Sequence, residues 1–145
     1  AYIFGARKGL FAGVVYGVMQ FIQSPQIYQP MQVLLDYPIA FSAIGLAGIA
    51  KNFKFLKGNM IAELVVGMTI AVLFRYTAHV ISGYYVFYTW STMENAFLYS
   101  LAYNSFTLVD LAIDIVAGVL LLSSKSMRNF ISSINPKPLS DVANA

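Results

Sequence analysis

The chain has 145 residues, of which 59% are hydrophobic and only 10% charged, with a net charge of +3; its mean hydropathy is +0.68. Soluble domains carry about 25% charged residues, so this composition excludes an ordinary water-soluble domain and indicates one integral membrane domain. The lack of cysteine excludes disulfides and thiol-metal chemistry, and Lys and Arg too few and scattered to form a patch exclude nucleic-acid binding.

Four apolar stretches approach the roughly 20 residues that a helix needs to cross hydrocarbon. In chain order they are Gly9 to Ile22, Met31 to Ala50, Met60 to about Phe87, and Ala96 to Leu122. The opening "AYIFG" reads as the end of a preceding apolar segment, so at least five membrane segments are expected and an N-terminal part is expected to be missing. Residues 1–124 form a single transmembrane helical domain in this reading, and 125–145 a polar tail. Arg7 and Lys8 precede the first stretch, Lys51, Lys54 and Lys57 follow the second, and Lys125, Arg128 and Lys137 follow the fourth. The loops "QSPQIYQP" and "YTWSTMEN" hold Glu94 as their only charge. By the positive-inside rule the lysine-bearing loops and the C-terminus are cytoplasmic.

Ionisable and amide groups at membrane depth are costly and should face protein or a cavity. At about 1.5 Å rise per residue, Asp36 lies roughly 8 Å below the outer end of its span, and His79 and Asn104 roughly 12 Å below theirs. Three polar groups on three spans therefore share one outer layer. Tyr37, Phe87, Trp90, Tyr99 and Tyr103 surround it, and Gly83 leaves room one turn after His79. A carboxylate among aromatic faces suits a flat organic cation, through charge and cation–π contact; an amide that both donates and accepts suits a nitrogen heterocycle. The competing reading makes His79 a packing or interhelical hydrogen-bonding group and places Tyr28, Tyr37, Tyr88 and Trp90 in the interfacial aromatic belt.

Arg75 and Asp110 fall roughly 20 Å deep, near the midplane, where they could form a buried pair that specifies helix arrangement. Asp110 and Asp114 share a helix face that could approach the cytoplasmic lysines, dock a partner subunit or relay protons. "GVVYG" (Gly13 to Gly17) and the Gly45–Gly48 region mark close helix approach, either inside the bundle or against a membrane partner. The chain carries no P-loop and no zincin or nucleophile-elbow motif. It is read as no enzyme, with no cofactor and no metal site, and it cannot drive transport with ATP alone.

The blocks "QVLLDYPIAFSAIGLAGI", "FRYTAHVISG" and "LYSLAYNS" resemble, in order and spacing, the thiamine-specific S component of energy-coupling factor transporters. The resemblance runs from about Arg7 to Leu122. It implies an all-α, six-helix membrane bundle in the bacterial cytoplasmic membrane, here expected to lack its first helix. That bundle captures the vitamin on the outer side and works with a transmembrane coupling protein and two cytoplasmic ATPases. It further implies that Asp36 contacts the ligand, Tyr37 lines the site and His79 packs on the ligand with Gly83 beside it. Tyr99 and Asn104 would hydrogen-bond the ligand. Phe87 would stack on it, with Trp90 as a competitor, and Tyr16 of the first full span also fits the pattern. The family's acidic position is Glu in some members, and its first helix and the lid loop after it are expected to be missing from this chain. Alternatives from the residues themselves are another vitamin or a pyrimidine precursor, a ligand-free assembly subunit, or a proton-coupled carrier.

Overall fold

A computed structural model describes residues 1–56, 58–90 and 94–134. It is all-helical, with no strand among these residues. Helix α1 (Ala6–Gln23) starts after Gly5, whose φ of 87° suits a residue without a Cβ. Helix α2 (Pro30–Asn52) starts with proline at its first turn, where the missing N–H costs nothing. Helix α3 (Met60–Trp90) is capped by Asn59, whose Oδ1 accepts from the Ala62 N–H at 3.0 Å. Helices α4 (Ala96–Asn104) and α5 (Phe106–Ser123) meet at a break at Ser105, and α6 (Lys125–Ile134) follows.

Helix α2 is not regular. It is α-helical over Pro30–Leu34, π-helical over Leu35–Ile39, α-helical over Ala40–Ala43 and 3₁₀ over Ile44–Asn52. Pro38 has no N–H to return to the carbonyl one turn back, so the ladder loosens around it. The 3₁₀ stretch is long for its kind, and its three-residue repeat explains it. Eclipsed rows put Gly45 and Gly48 on one line and Ala47 and Ala50 on another. The glycine row meets α1: a Cβ on Gly45 would strike the Gly9 and Leu10 backbone, and one on Gly48 the Ala6 backbone. Ala47 and Ala50 are buried, and the Ala47 carbonyl lies against Gly67 of α3. Gly13 and Gly17 of α1 press on the Phe41 and Tyr37 carbonyls in the same way. The small-residue motif is thus used within the chain, as the contact between α1 and α2.

Helix α3 is the central element, packed on α2, α4 and α5, with α1 on the other side of α2. Its 31 residues span about 46 Å at helical rise, longer than a bilayer core, so it must tilt or project. Three helical stretches have the length and composition to cross a membrane: Pro30–Asn52, Met60–Thr89 and Ala96–Ser123. That is fewer than the four stretches read from the sequence, because Arg7, Lys8, Gln20 and Gln23 sit inside α1. Of the expected polar tail, residues 125–134 are helical, and the remainder lies outside the described residues.

Candidate functional site

The π-helical turn of α2 carries Asp36 toward α3, where its Oδ1 lies 2.9 Å from His79 Nδ1. This is the one histidine–carboxylate contact among the described residues. One turn earlier, Gln32 is 2% exposed and donates from Nε2 to Asp36 Oδ2 at 2.8 Å, while its Oε1 accepts from the Tyr28 N–H at 3.2 Å. Both carboxylate oxygens are therefore engaged. An ionised carboxylate only accepts, so the proton between the two groups sits on His79 Nδ1. His79 Nε2 is left buried with no hydrogen-bond partner, as is the hydroxyl of Ser82, one turn further along α3. Buried polar atoms are almost always paired, so two orphans on one helix face ask for an outside group.

Both residues line a cavity of about 150 Å³ that also holds Asp36 and Gln32. Val86, Phe87, Tyr103 and Asn104 also line it, as do Gln26 and Tyr28 of the α1–α2 connection. Asn104 is buried and uses Nδ2 three times, toward the His79 carbonyl at 3.2 Å, the Ser100 carbonyl at 2.9 Å and the Ser100 hydroxyl at 3.2 Å. Gly83 permits this arrangement: a Cβ there would run into the Ser100 hydroxyl and come within 3.1 Å of Asn104 Nδ2 and 3.3 Å of the Phe87 ring. Such a cavity is the size that holds one aromatic ring, and its partly open form leaves a larger molecule room to extend outward.

The structure brings together Asp36, His79, Gly83, Phe87 and Asn104, and leaves Tyr16, Tyr37 and Tyr99 outside the cavity those five line. Tyr99 stands behind Phe87, edge to face at 4.7 Å, and it is Tyr103 that reaches the cavity. Tyr37 turns away: its hydroxyl donates to the Ser24 carbonyl at 2.9 Å and accepts from the Gln26 N–H at 3.0 Å, with its ring 5.0 Å from Phe21. It braces the α1–α2 connection instead of lining the cavity. Tyr16 packs on Phe41 at 5.1 Å and accepts from Gln20, outside the cavity. The Trp90 side chain lies outside the described residues.

The buried pair between Arg75 and Asp110 is not formed. Arg75 lies over the Phe41 ring at 5.1 Å, with its Nε buried and unpartnered, and Asp110 and Asp114 both sit on the exposed face of α5. Depth alone had suggested the pair; the helix faces point elsewhere. Sequence reasoning missed Gln26, Gln32, Ser82 and Val86. Three of these had a signal, because Gln32 lies four residues before Asp36, and Ser82 and Val86 three and seven after His79, on shared helix faces. Gln26, in the connection, had none.

Over residues 1–131 the chain matches the family described as Thiamine transporter protein. It is 36% identical over 109 residues to Thiamine transporter ThiT of Bacillus subtilis, covering 70% of this chain and 57% of that relative. It is 29% identical over 136 residues to Thiamine transporter ThiT of Lacticaseibacillus paracasei, covering 82% and 68%. The chain thus spans less than two thirds of the Bacillus relative's length. No solved structure matches it significantly.

Proposed function

The chain belongs to the Thiamine transporter protein family, and from that premise we propose that it is the thiamine-capturing membrane subunit of a vitamin importer. The observation that carries the proposal is the Asp36–His79 pair, held by Gln32, at an aromatic-walled cavity with unpartnered His79 Nε2 and Ser82 Oγ. Thiamine joins an aminopyrimidine to a cationic thiazolium. The cavity takes one ring between Phe87 and His79, with Ser82 Oγ to donate to a ring nitrogen and Asn104 Oδ1 to accept from the amino group. Asp36 supplies negative charge for the cation. No chemistry follows; the site binds, orients and excludes water.

Release across the membrane needs energy, and the chain has no nucleotide-binding loop. The proposal therefore includes a transmembrane coupling protein and two cytoplasmic ATPases as partners, with capture on the outer side and the C-terminus inside, as the family resemblance and the loop charges suggest.

Titration calorimetry on the full-length, detergent-solubilised protein is the test. Thiamine should bind with a nanomolar Kd. The one-ring size of the cavity favours a second reading, in which a neutral pyrimidine precursor is the ligand. Equal or tighter binding of the isolated hydroxymethyl-aminopyrimidine would select that reading, and no heat with either compound would reject both.

Tyr37→Phe probes the α1–α2 connection. Removing the hydroxyl leaves the Ser24 carbonyl and the Gln26 N–H without their partner. Each lost hydrogen bond is worth about 1 kcal/mol, and the loop should loosen. Thiamine binding is expected to weaken about ten-fold, chiefly through faster dissociation in stopped-flow measurements. An unchanged dissociation rate would mean the loop does not hold the ligand.

A further inference from the structure

Helix α6 obeys a pattern that the binding site does not use. Met127, Phe130, Ile131 and Ile134 fall at i, i+3, i+4 and i+7, one apolar stripe. Lys125, Ser126, Arg128, Asn129, Ser132 and Ser133 occupy the rest, with two cations and no carboxylate. The helix is tied to the end of α5, because Arg128 Nη1 donates to the Leu122 carbonyl and, at 3.1 Å, to the Ser123 carbonyl. Only part of the stripe is used against protein. Ile131 is buried, whereas Phe130 is 58% and Ile134 40% exposed.

The unused part continues into the span. Leu120 and Leu121, in the last turn of α5, are 68% and 56% exposed, and with Met127 and Phe130 they line one apolar groove of about 530 Å³. The phase that covers the end of a membrane-spanning helix must cover the groove continuous with it. An amphipathic helix of low overall hydrophobicity with basic residues on its polar side lies in the interface plane. Lys125, exposed and with no acidic neighbour on α6, points to anionic headgroups.

We infer that α6 is an interfacial anchor that binds an anionic lipid surface. Met127, Phe130 and Ile134 sit among acyl chains and Lys125 meets headgroup phosphates. The anchor fixes the end of α5 relative to the membrane face, and it stands whether or not thiamine is the ligand.

These 145 residues contain no cysteine, so one introduced thiol can be labelled alone once any cysteine elsewhere in the full-length protein is replaced. Ile134→Cys and Asn129→Cys variants of the full-length protein would carry an environment-sensitive fluorophore in nanodiscs of phosphatidylcholine with or without phosphatidylglycerol. With the anionic lipid, the label at 134 should be blue-shifted and quenched at least three-fold more by lipid-borne nitroxide than the label at 129. Omitting the anionic lipid, or adding Lys125→Glu, should reduce that difference at least two-fold. Equal quenching at both positions, or no response to headgroup charge, would overturn the inference. So would protection at 134 that rises with the number of copies per disc, which would make the occupant a second copy, or that needs added membrane-protein partners. Circular dichroism and gel filtration establish that each labelled variant is folded.

Discussion

Asp36→Ala should abolish useful thiamine binding. The substitution removes the only carboxylate among the described residues that line the cavity and both acceptors that hold its neighbours, leaving Gln32 Nε2 and His79 Nδ1 without partners. Truncating the charged, hydrogen-bonded partner of the ligand cation, covered in the complex, costs about 2–5 kcal/mol, or roughly 30- to several-thousand-fold in Kd. Asp36→Asn separates charge from shape. It fills the same space and can still accept one hydrogen bond, so it should fold normally and lose binding mainly through the missing charge. If the Ala variant, purified as a folded monodisperse protein, bound thiamine within three-fold of the parent, Asp36 would not be a ligand group and the proposed site would be wrong. A large loss in Ala but not in Asn would instead assign Asp36 a positioning role, holding the His79 tautomer.

The layer containing Asp36, His79 and Asn104 was legible because polar groups are expensive in hydrocarbon and a helix converts residue count into depth. Depth is one coordinate of three. It placed Arg75 and Asp110 at one level without saying that Asp110 faces outward and that Arg75 lies over Phe41. Direction around the helix axis depends on register, and the π-helical turn at Leu35–Ile39 changes that register where it matters. Pro38 announced an interruption, but not which kind. Tyr37 is the clearest consequence: adjacent to Asp36 in sequence, it points to Ser24 and Gln26 instead of the cavity. The glycines at 13, 17, 45 and 48 marked a close contact, and sequence could not choose between an internal and an external one. The choice required seeing α1 against the 3₁₀ stretch of α2. The α6 stripe had a readable helical period but was obscured by the polar composition around it.

Gly45→Ala is the substitution with the largest expected cost to the fold. Its Cβ would strike the Gly9 and Leu10 backbone of α1. Backbone cannot rotate out of the way as a side chain can, so α1 must back away from α2 along a contact that also includes Gly9, Gly13 and Gly17. Overpacking costs about 1–3 kcal/mol and occasionally more; a clash with backbone belongs at the upper end, about 3 kcal/mol. For a domain of this size that lowers the thermal midpoint by roughly 6–12 °C. Gly118→Ala is the matched control, because its Cβ would crowd the end of the flexible Leu64 side chain and lie in ordinary contact with the Met68 sulfur, with no backbone in the way, and alanine is the better helix former there. The Gly118 variant should melt within about 2 °C of the parent. The Gly45 variant should also bind thiamine more weakly, because Gly17 of α1 rests on the Tyr37 backbone inside the π-helical turn that presents Asp36. Fluorescence-detected size-exclusion melts and calorimetry on the same samples read both effects. Equal midpoints for the two variants would show that α1 does not pack on α2 through Gly45. A lower midpoint with unchanged affinity would show that the α1 contact supports the bundle without setting the geometry of the site.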